Sequence, residues 1–172
     1  TMGDRIVVMN HGVVQQENAP LTLYNEPDNL FVAGFLGSPP MNFIHGTLKQ
    51  ERDALVFHET GEGTIEVRFA AEERAAARDF VGQPILLGIR PEDIEVAQFA
   101  KGQTSAASFP AIVDLVEPMG AETNLYLQTG AHTIVCRSLR PLDHREAGHR
   151  MQFEMKLANA HLFDPKSTRR IV

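Results

Sequence analysis

Short apolar stretches, each ended by a turn that contains Gly or Pro, constrain the fold of this chain more than any other feature of its sequence. The clearest is residues 151–157, where every odd position is apolar, as in a half-buried strand. Many short strands at a spacing of roughly 8–12 residues predict a small β-barrel or β-sandwich. The other predicted strands cover residues 42–49, 54–57, 64–69, 84–89, 94–97, 109–116, 123–128 and 133–139.

The first forty residues follow a different pattern. Two β-branched runs, residues 6–9 and 13–17, flank an Asn-His-Gly loop and predict a β-hairpin. Pro20 suits the first position of a short helix that runs to residue 25. Asp28 is predicted to cap a second helix, and Gly37 is placed to close it. Because two prolines follow at once, we place a domain boundary after residue 40.

Three further segments complete the local predictions. Residues 71–80 are rich in Ala, Glu and Arg, a composition that favours a helix. Residues 101–107 are small and polar and predict a loop. The basic tail that follows Asp164 is expected to be solvated.

Composition excludes several classes of protein. Sixteen Lys and Arg against 22 Asp and Glu give a net charge of −6, which disfavours a nucleic-acid partner. The single cysteine, Cys136, excludes an internal disulfide framework, fits a reducing compartment and is expected to be a small buried apolar side chain. No apolar run of about 18 residues is present to span a membrane.

The sequence lacks the patterns that carry catalysis. No Gly-Lys-Ser or Gly-Lys-Thr is present to form a phosphate-binding loop, and no Gly-x-Ser-x-Gly is present to carry a nucleophile. None of the seven histidines forms a pair at the i, i+4 spacing of a helical zinc site. We therefore predict no catalytic, cofactor-binding or metal-binding residue in this chain.

Two charged turns are candidate regulatory or interface sites. Arg90, Pro91 and Glu92 directly follow the buried strand 84–89, and the proline fixes the direction of the two charged side chains. They form either a surface ion pair or an interdomain or intersubunit contact. Glu117, Gly120 and Glu122 lie on a Pro-x-Gly turn between two strands. Because no nucleophile is nearby in the sequence, a binding or signalling role is favoured over catalysis.

The second predicted helix carries a third candidate site. Phe31 and Phe35 lie four residues apart, on one helical face that ends at Gly37. They serve either the core or a face that docks on a partner, and we place them with Gly37 in interdomain packing.

Several segments, in this order, resemble the ATPase subunits of carbohydrate-importing ABC transporters of the maltose, glycerol-3-phosphate and multiple-sugar type. The resemblance covers nearly the whole chain. It is carried by residues 4–12, Pro20 with residues 23–27, residues 31–39, residues 41–43, Gly-Ile-Arg-Pro-Glu at 88–92, Glu-Pro-Met-Gly-Ala-Glu-Thr at 117–123 and His-Leu-Phe-Asp at 161–164.

The resemblance implies a mainly β chain with two parts. Residues 1–40, a hairpin with short helices, would be the C-terminal tail of an ABC nucleotide-binding domain. Residues 41–172 would be a regulatory domain, an OB-fold-like β-barrel of the TOBE or molybdate-binding-like (MOP) type. ATP and magnesium would be bound by the parent protein's other segments, so this chain is itself expected to be non-catalytic.

The resemblance also implies partners and a location. A second copy would form a homodimer through the regulatory domains. The nucleotide-binding domain of the parent would contact transmembrane permease subunits, and a cytosolic protein would regulate it. The location would be cytoplasmic, peripheral on the inner face of the bacterial plasma membrane. The alternative function is a module that senses a small oxyanion or other ligand, as related MOP-like barrels do.

Overall fold

The computed structural model describes residues 3–100 and 106–172. Twelve antiparallel strands and two short helices account for most of them, so the mainly β fold class is confirmed. The elements are β1 (Ile6–Asn10), β2 (Val13–Asn18), α1 (Pro20–Asn25), α2 (Leu30–Phe35), β3 (Asn42–Glu51), β4 (Ala54–Glu59), β5 (Glu66–Ala70), β6 (Pro84–Ile89), β7 (Ile94–Val96), β8 (Ala106–Pro118), β9 (Thr123–Gln128), β10 (Thr133–Ser138), β11 (Arg150–Lys156) and β12 (His161–Phe163).

The strands form one hairpin and two five-stranded sheets. β1 pairs with β2 around the Asn-His-Gly loop, as predicted. The first large sheet has the order β12-β6-β3-β4-β5, and the second has the order β10-β9-β8-β11-β7. One continuous apolar cluster fills the space between these two sheets and includes the fully buried rings of Phe57, Phe109 and Phe153. The two sheets therefore enclose the core of a barrel-like unit.

Three local predictions need correction. Asn29, not Asp28, caps α2, because its side-chain oxygen accepts a hydrogen bond from the Val32 N–H at 3.0 Å. The helix predicted over residues 71–80 is a 3₁₀ helix over Ala75–Phe80 only, preceded by turns. The loop predicted over residues 101–107 lies mostly outside the described residues, and its last two residues begin β8.

The N-terminal segment, residues 3–40, packs against the outer side of the first sheet. Ala33 of α2 joins Met41, Leu86 and Phe163 in a small buried cluster. A separate cluster inside the segment contains Val8, Leu23 and Val32. The two short helices therefore have apolar contacts both with the hairpin and with the barrel.

The C-terminal residues are not simply solvated, contrary to the prediction. The Arg170 N–H donates to the Asp28 carbonyl, and the Leu30 N–H donates to the Thr168 carbonyl, both at 2.9 Å. The Ile171 N–H donates to the Leu162 carbonyl at 2.7 Å. The tail is therefore hydrogen-bonded to the barrel on one side and to the start of α2 on the other.

Among residues 3–100 and 106–172, no helix is both long enough and apolar enough to cross a lipid bilayer.

Replacing Gly46 by Ala is expected to destabilise the barrel by about 2 kcal/mol or more, because overpacking a filled core is costly. A Cβ at this buried position in β3 would overlap the Phe57 ring and the His58 carbonyl oxygen. The midpoint of urea unfolding measures the effect.

Gly34→Ala is the matched control, since a Cβ there would lie 3.4 Å from the Phe43 ring, in ordinary contact. Gly34 is in α2, where alanine is the better helix former. Equal destabilisation by the two substitutions would contradict the packing described for β3.

Candidate functional site at the Arg90 junction

Arg90 connects the barrel to the N-terminal segment. Its Nη1 donates to the Leu36 carbonyl at 2.7 Å, and its Nη2 donates to the Tyr24 carbonyl at 2.5 Å. The guanidinium carbon lies 3.5 Å from the centroid of the Tyr24 ring, in cation–π contact. The side chain thus holds two points of the N-terminal segment from a turn that directly follows β6.

The burial of Arg90 makes this contact costly to break. The residue is only 4% exposed, and within the described residues its guanidinium forms no salt bridge. Burial lowers the pKa of Arg90, while the nearby Tyr24, Glu92 and Asp93 raise it. A desolvated cation of this kind depends on its hydrogen-bond acceptors, since without them it would be an uncompensated buried charge.

The turn itself is a short 3₁₀ helix over Pro91–Asp93. The Tyr24 hydroxyl donates to Glu92 Oε1, and burial with this hydrogen bond raises the pKa of Tyr24. Glu92 Oε2 is buried with no hydrogen-bond partner among the described residues. Of the two possibilities that the sequence left open for Arg90 and Glu92, the structure has the contact between segments and not the surface ion pair.

A second link joins the barrel to the same stretch of chain. Glu122 Oε2 lies 3.3 Å from Arg137 Nε, and Arg137 Nη2 donates to the Ser38 carbonyl. Arg90 and Arg137 therefore hold the carbonyls of Leu36 and Ser38, on either side of Gly37. The two charged turns that the sequence singled out meet here at one crossing between the segment and the barrel.

Gly37 occupies the narrowest part of this crossing. Its φ is +116°, which favours glycine, and a Cβ on it would lie 3.1 Å from Arg90 Nη1. Phe31 and Phe35 stack with ring centroids 5.7 Å apart. Phe31 is half-buried beside the hairpin, whereas Phe35 is 64% exposed. The structure therefore places Gly37 in the junction and leaves Phe35 on the surface.

The remaining predicted residues do not join the junction. Glu117 is exposed, and its Oε2 accepts from the Tyr126 hydroxyl at 3.3 Å. Gly120 is exposed with a φ of +86°, as its tight turn requires. Cys136 is fully buried, as predicted, and burial raises the pKa of its thiol.

Beside Arg90 lies a polar cleft of about 660 Å³ that no sequence pattern predicted. It is walled by the end of α1, the Arg90 turn, the residues that lead into β12, and the C-terminal tail. Its lining includes Arg74, Asn159, His161 and Arg170. His161 is buried, and desolvation together with three arginines, Arg170, Arg74 and Arg90, lowers its pKa to about 4.

A second buried polar group connects the two large sheets. The Glu59 carboxylate at the end of β4 accepts from the Ile65 N–H at 2.9 Å, from the Thr129 hydroxyl and from His132 Nδ1 at 2.6 Å. His132 Nε2 accepts from the His45 N–H at 3.0 Å. In the described residues, no group of three His, Cys, Asp or Glu side chains is arranged to hold a metal ion.

Comparison with known families agrees with this architecture. The family model for the MalK OB fold domain matches residues 37–94, and the model for the TOBE domain matches residues 87–163. The chain therefore carries an OB-fold and TOBE unit, which confirms the predicted fold class.

Similarity to individual proteins is more informative than the matches to the two domain models. ABC transporter ATP-binding protein YcjV of Escherichia coli O157:H7 is 37% identical over 169 residues, which are 97% of this chain and 43% of the relative. Trehalose/maltose import ATP-binding protein MalK of Thermococcus litoralis is 36% identical over 165 residues, 95% of this chain and 43% of the relative. The chain is similar to these ABC transporter ATP-binding proteins over nearly its whole length, and it spans less than half of the length of each of them.

A solved structure with a similar fold is the cytoplasmic molybdate-binding protein ModG, in a form with molybdate bound. The TM-score is 0.50 at 13% identity, and the match covers 72% of this chain and 96% of ModG. At this identity the likeness shows the fold alone.

Replacing Arg90 by Ala is expected to lower the free energy of unfolding by about 3 kcal/mol, because two partly buried carbonyls lose their donor. It should also speed proteolytic cleavage near residues 37–40, which Arg90 and Arg137 hold. Urea unfolding and limited subtilisin digestion measure the two effects.

Arg145→Ala is the control, since among the described residues that exposed guanidinium pairs only with the neighbouring Asp143 on the surface. Its unfolding midpoint and cleavage pattern should match those of the unmodified chain. An Arg90→Ala chain as stable and as protease-resistant as the control would contradict the structural role of the junction.

Acid pH is expected to destabilise the chain through His161. The folded pKa of about 4 lies below the ordinary value of 6.5, so the unfolded chain takes up a proton first as the pH falls. The stabilisation from the neutral imidazole is complete above about pH 6.5 and is lost as the pH falls towards about 4, a change of about 3 kcal/mol. Urea unfolding at several pH values measures it.

His161→Gln should flatten the pH dependence of stability in this window, whereas replacing the exposed His144 by Gln should leave it unchanged. Identical slopes for His161→Gln and the unmodified chain would show that His161 does not carry the effect.

Proposed function

We propose that this chain is the regulatory and dimerisation part of the ATPase subunit of an ABC importer for a carbohydrate or a glycerol phosphate. The chain itself is non-catalytic, and the full-length parent couples ATP hydrolysis to solute import with ATP and magnesium bound outside this chain. The similarity to proteins whose names include ABC transporter ATP-binding protein and trehalose/maltose import supports this proposal.

The Arg90 junction is the observation that favours a regulatory domain over a domain that is merely attached to the ATPase. A regulatory domain must transmit a change in its position to the ATPase, and this requires a stiff connection. Arg90 supplies one, because its buried guanidinium is hydrogen-bonded to two carbonyls of the N-terminal segment. In the proposal, residues 1–40 end the nucleotide-binding domain and residues 41–172 form the regulatory domain.

The surface of the N-terminal segment fits that division. Its exposed large apolar side chains lie on the hairpin, α1 and the end of α2, and a group of this kind is typical of a surface that packs on another domain. They are Val7, Met9, Val13, Val14, Leu21 and Phe35. In the full-length parent this surface would contact the rest of the nucleotide-binding domain, which in turn contacts the permease subunits at the inner face of the plasma membrane.

The barrel offers a separate apolar face for the second copy. A bulge in β8 between Val113 and Leu115 places Ile112 and Leu115 on the same outer face, opposite Gln128 and Tyr126 of β9. Ile112 and Leu115 are 46% and 52% exposed, and Met119 in the following turn is 60% exposed. A self-complementary contact through this face would give a two-fold symmetric dimer, and the charged turn 117–122 would lie at its edge, accessible to a cytosolic regulator.

Leu115→Glu is expected to convert a homodimer of the chain into a monomer, because a carboxylate in an apolar contact is costly. Sedimentation at tens of micromolar measures the mass.

In the full-length parent, the same substitution and Glu122→Ala should leave ATP turnover within about threefold of the unmodified protein, since neither residue serves the chemical step.

Val14→Glu is the matched control, since it puts the same charge on an exposed apolar site of the hairpin. It should leave the dimer of the chain intact. A chain that sediments only as a monomer, or a hundredfold loss of ATP turnover in a folded Glu122→Ala parent, would overturn the proposal.

A further inference from the structure

The polar cleft beside Arg90 is built from parts of the chain that are far apart in sequence. Tyr24, Asn25 and Glu26 end α1, residues 158–161 lead into β12, and Arg170 belongs to the tail. A volume of about 660 Å³ lies in the range of small-molecule sites. The cleft is therefore large enough for a ligand of the size of a sugar phosphate.

Two arginines that line the cleft have no carboxylate partner in the part of the chain that the structure describes. Arg74 and Arg170 form no salt bridge within residues 3–100 and 106–172. Arg74 Nη2 donates to the Leu157 carbonyl at 3.1 Å, and burial together with the Arg170 charge lowers the pKa of Arg74. Glu73 partly offsets this effect. The two like charges are thus close enough to repel each other at a partly desolvated site.

Two acidic residues of the cleft, Glu92 and Asp93, each accept a hydrogen bond, and the third is exposed, while Glu92 Oε2 has no partner among the described residues. Glu92 accepts from the Tyr24 hydroxyl, beside the guanidinium of Arg90. Asp93 accepts from Asn159 Nδ2 at 2.7 Å and lies 4.0 Å from Lys156 Nζ. Glu26 is exposed. Arg74 and Arg170 are therefore cations of the cleft that no carboxylate pairs with among the described residues.

His161 lies among these charges. Arg170, Arg74 and Arg90 all act on it, and its depressed pKa keeps the imidazole uncharged at neutral pH. The buried neutral ring thus lines the site without adding charge, and the arginines supply the positive potential.

We propose that this cleft binds a phosphate-class oxyanion through Arg74 and Arg170, either free phosphate or the phosphate group of a phosphorylated sugar. Guanidinium groups present paired N–H donors that match the oxygens of phosphate, and the anion would relieve the repulsion between them. Asn159 and the Asn25 side chain offer polar partners for sugar hydroxyls in the rest of the cleft. This inference is independent of the proposed transport role.

A ligand bound in the cleft would also stabilise the Arg90 junction. A ligand there would contact the end of α1, the Arg90 turn and the tail together, so it would hold the N-terminal segment against the barrel. Ligand binding should therefore raise the thermal unfolding midpoint of the chain and slow cleavage near residues 37–40.

Calorimetric titration of the chain with inorganic phosphate, glucose 6-phosphate and glucose, at constant ionic strength and neutral pH, tests the site. We expect saturable binding of phosphate or glucose 6-phosphate and none of glucose. Arg74→Gln and Arg170→Gln should each weaken binding about tenfold or more, the loss expected for a charge-assisted bidentate contact. Tighter binding of glucose 6-phosphate would identify a phosphorylated sugar as the ligand, and equal affinities would identify phosphate itself.

Arg169→Gln is the matched control, because this exposed arginine is the neighbour of Arg170 but does not line the cleft. Its affinity should stay within about twofold. If Arg74→Gln fails to fold by circular dichroism, Arg170→Gln decides the test. No saturable binding up to about 10 mM, or an equal loss in Arg169→Gln, would overturn the proposal.

Discussion

A single buried guanidinium determines how the two parts of this chain fit together. Arg90 is removed from water where β6 ends, and its charge is satisfied by the carbonyls of Leu36 and Tyr24 and by the face of the Tyr24 ring. None of these acceptors belongs to the barrel. The barrel can bury this cation only when the N-terminal segment is in place, so the arrangement of the segment is part of the stability of the turn.

Much of the barrel could be predicted from the sequence because its strands are short and their faces differ. The alternation at residues 151–157 and the continuous apolar run at 84–89 each correspond to a strand of the structure. The start of a helix is not fixed by the sequence pattern where two neighbouring residues can both serve as its N-cap. Asp28 and Asn29 are both good caps, and only the backbone geometry selects Asn29. The helix predicted over residues 71–80 is also wrong. Its alanines favour a helix, but only one of them, Ala77, is buried within the 3₁₀ helix that forms there.

The candidate site was predictable only in part. Proline fixes the direction of Arg90, so a specific contact could be expected, but its partner Tyr24 is 66 residues away and carries no local signal. Arg137 carries no local signal either, because an arginine at an outward-facing position of a strand normally faces solvent. Glu122 was singled out for the turn that holds it, and the structure adds Arg137 and Ser38 as its connection to the junction. Contacts of this kind depend on tertiary packing, which residue patterns do not encode.

The buried Glu59 determines the register between the two halves of the barrel. Its three donors come from the Ile65 backbone, from Thr129 and from His132, and the second and third lie on the turn between β9 and β10. Because the carboxylate is buried, a shift of the first sheet along the second would leave it without the donors from Thr129 and His132. Since the His45 N–H donates to His132 Nε2, the proton of the neutral His132 ring must lie on Nδ1. The barrel is thus closed at this end by hydrogen bonds of fixed direction, whereas most of its interior is held by apolar contacts that specify no direction.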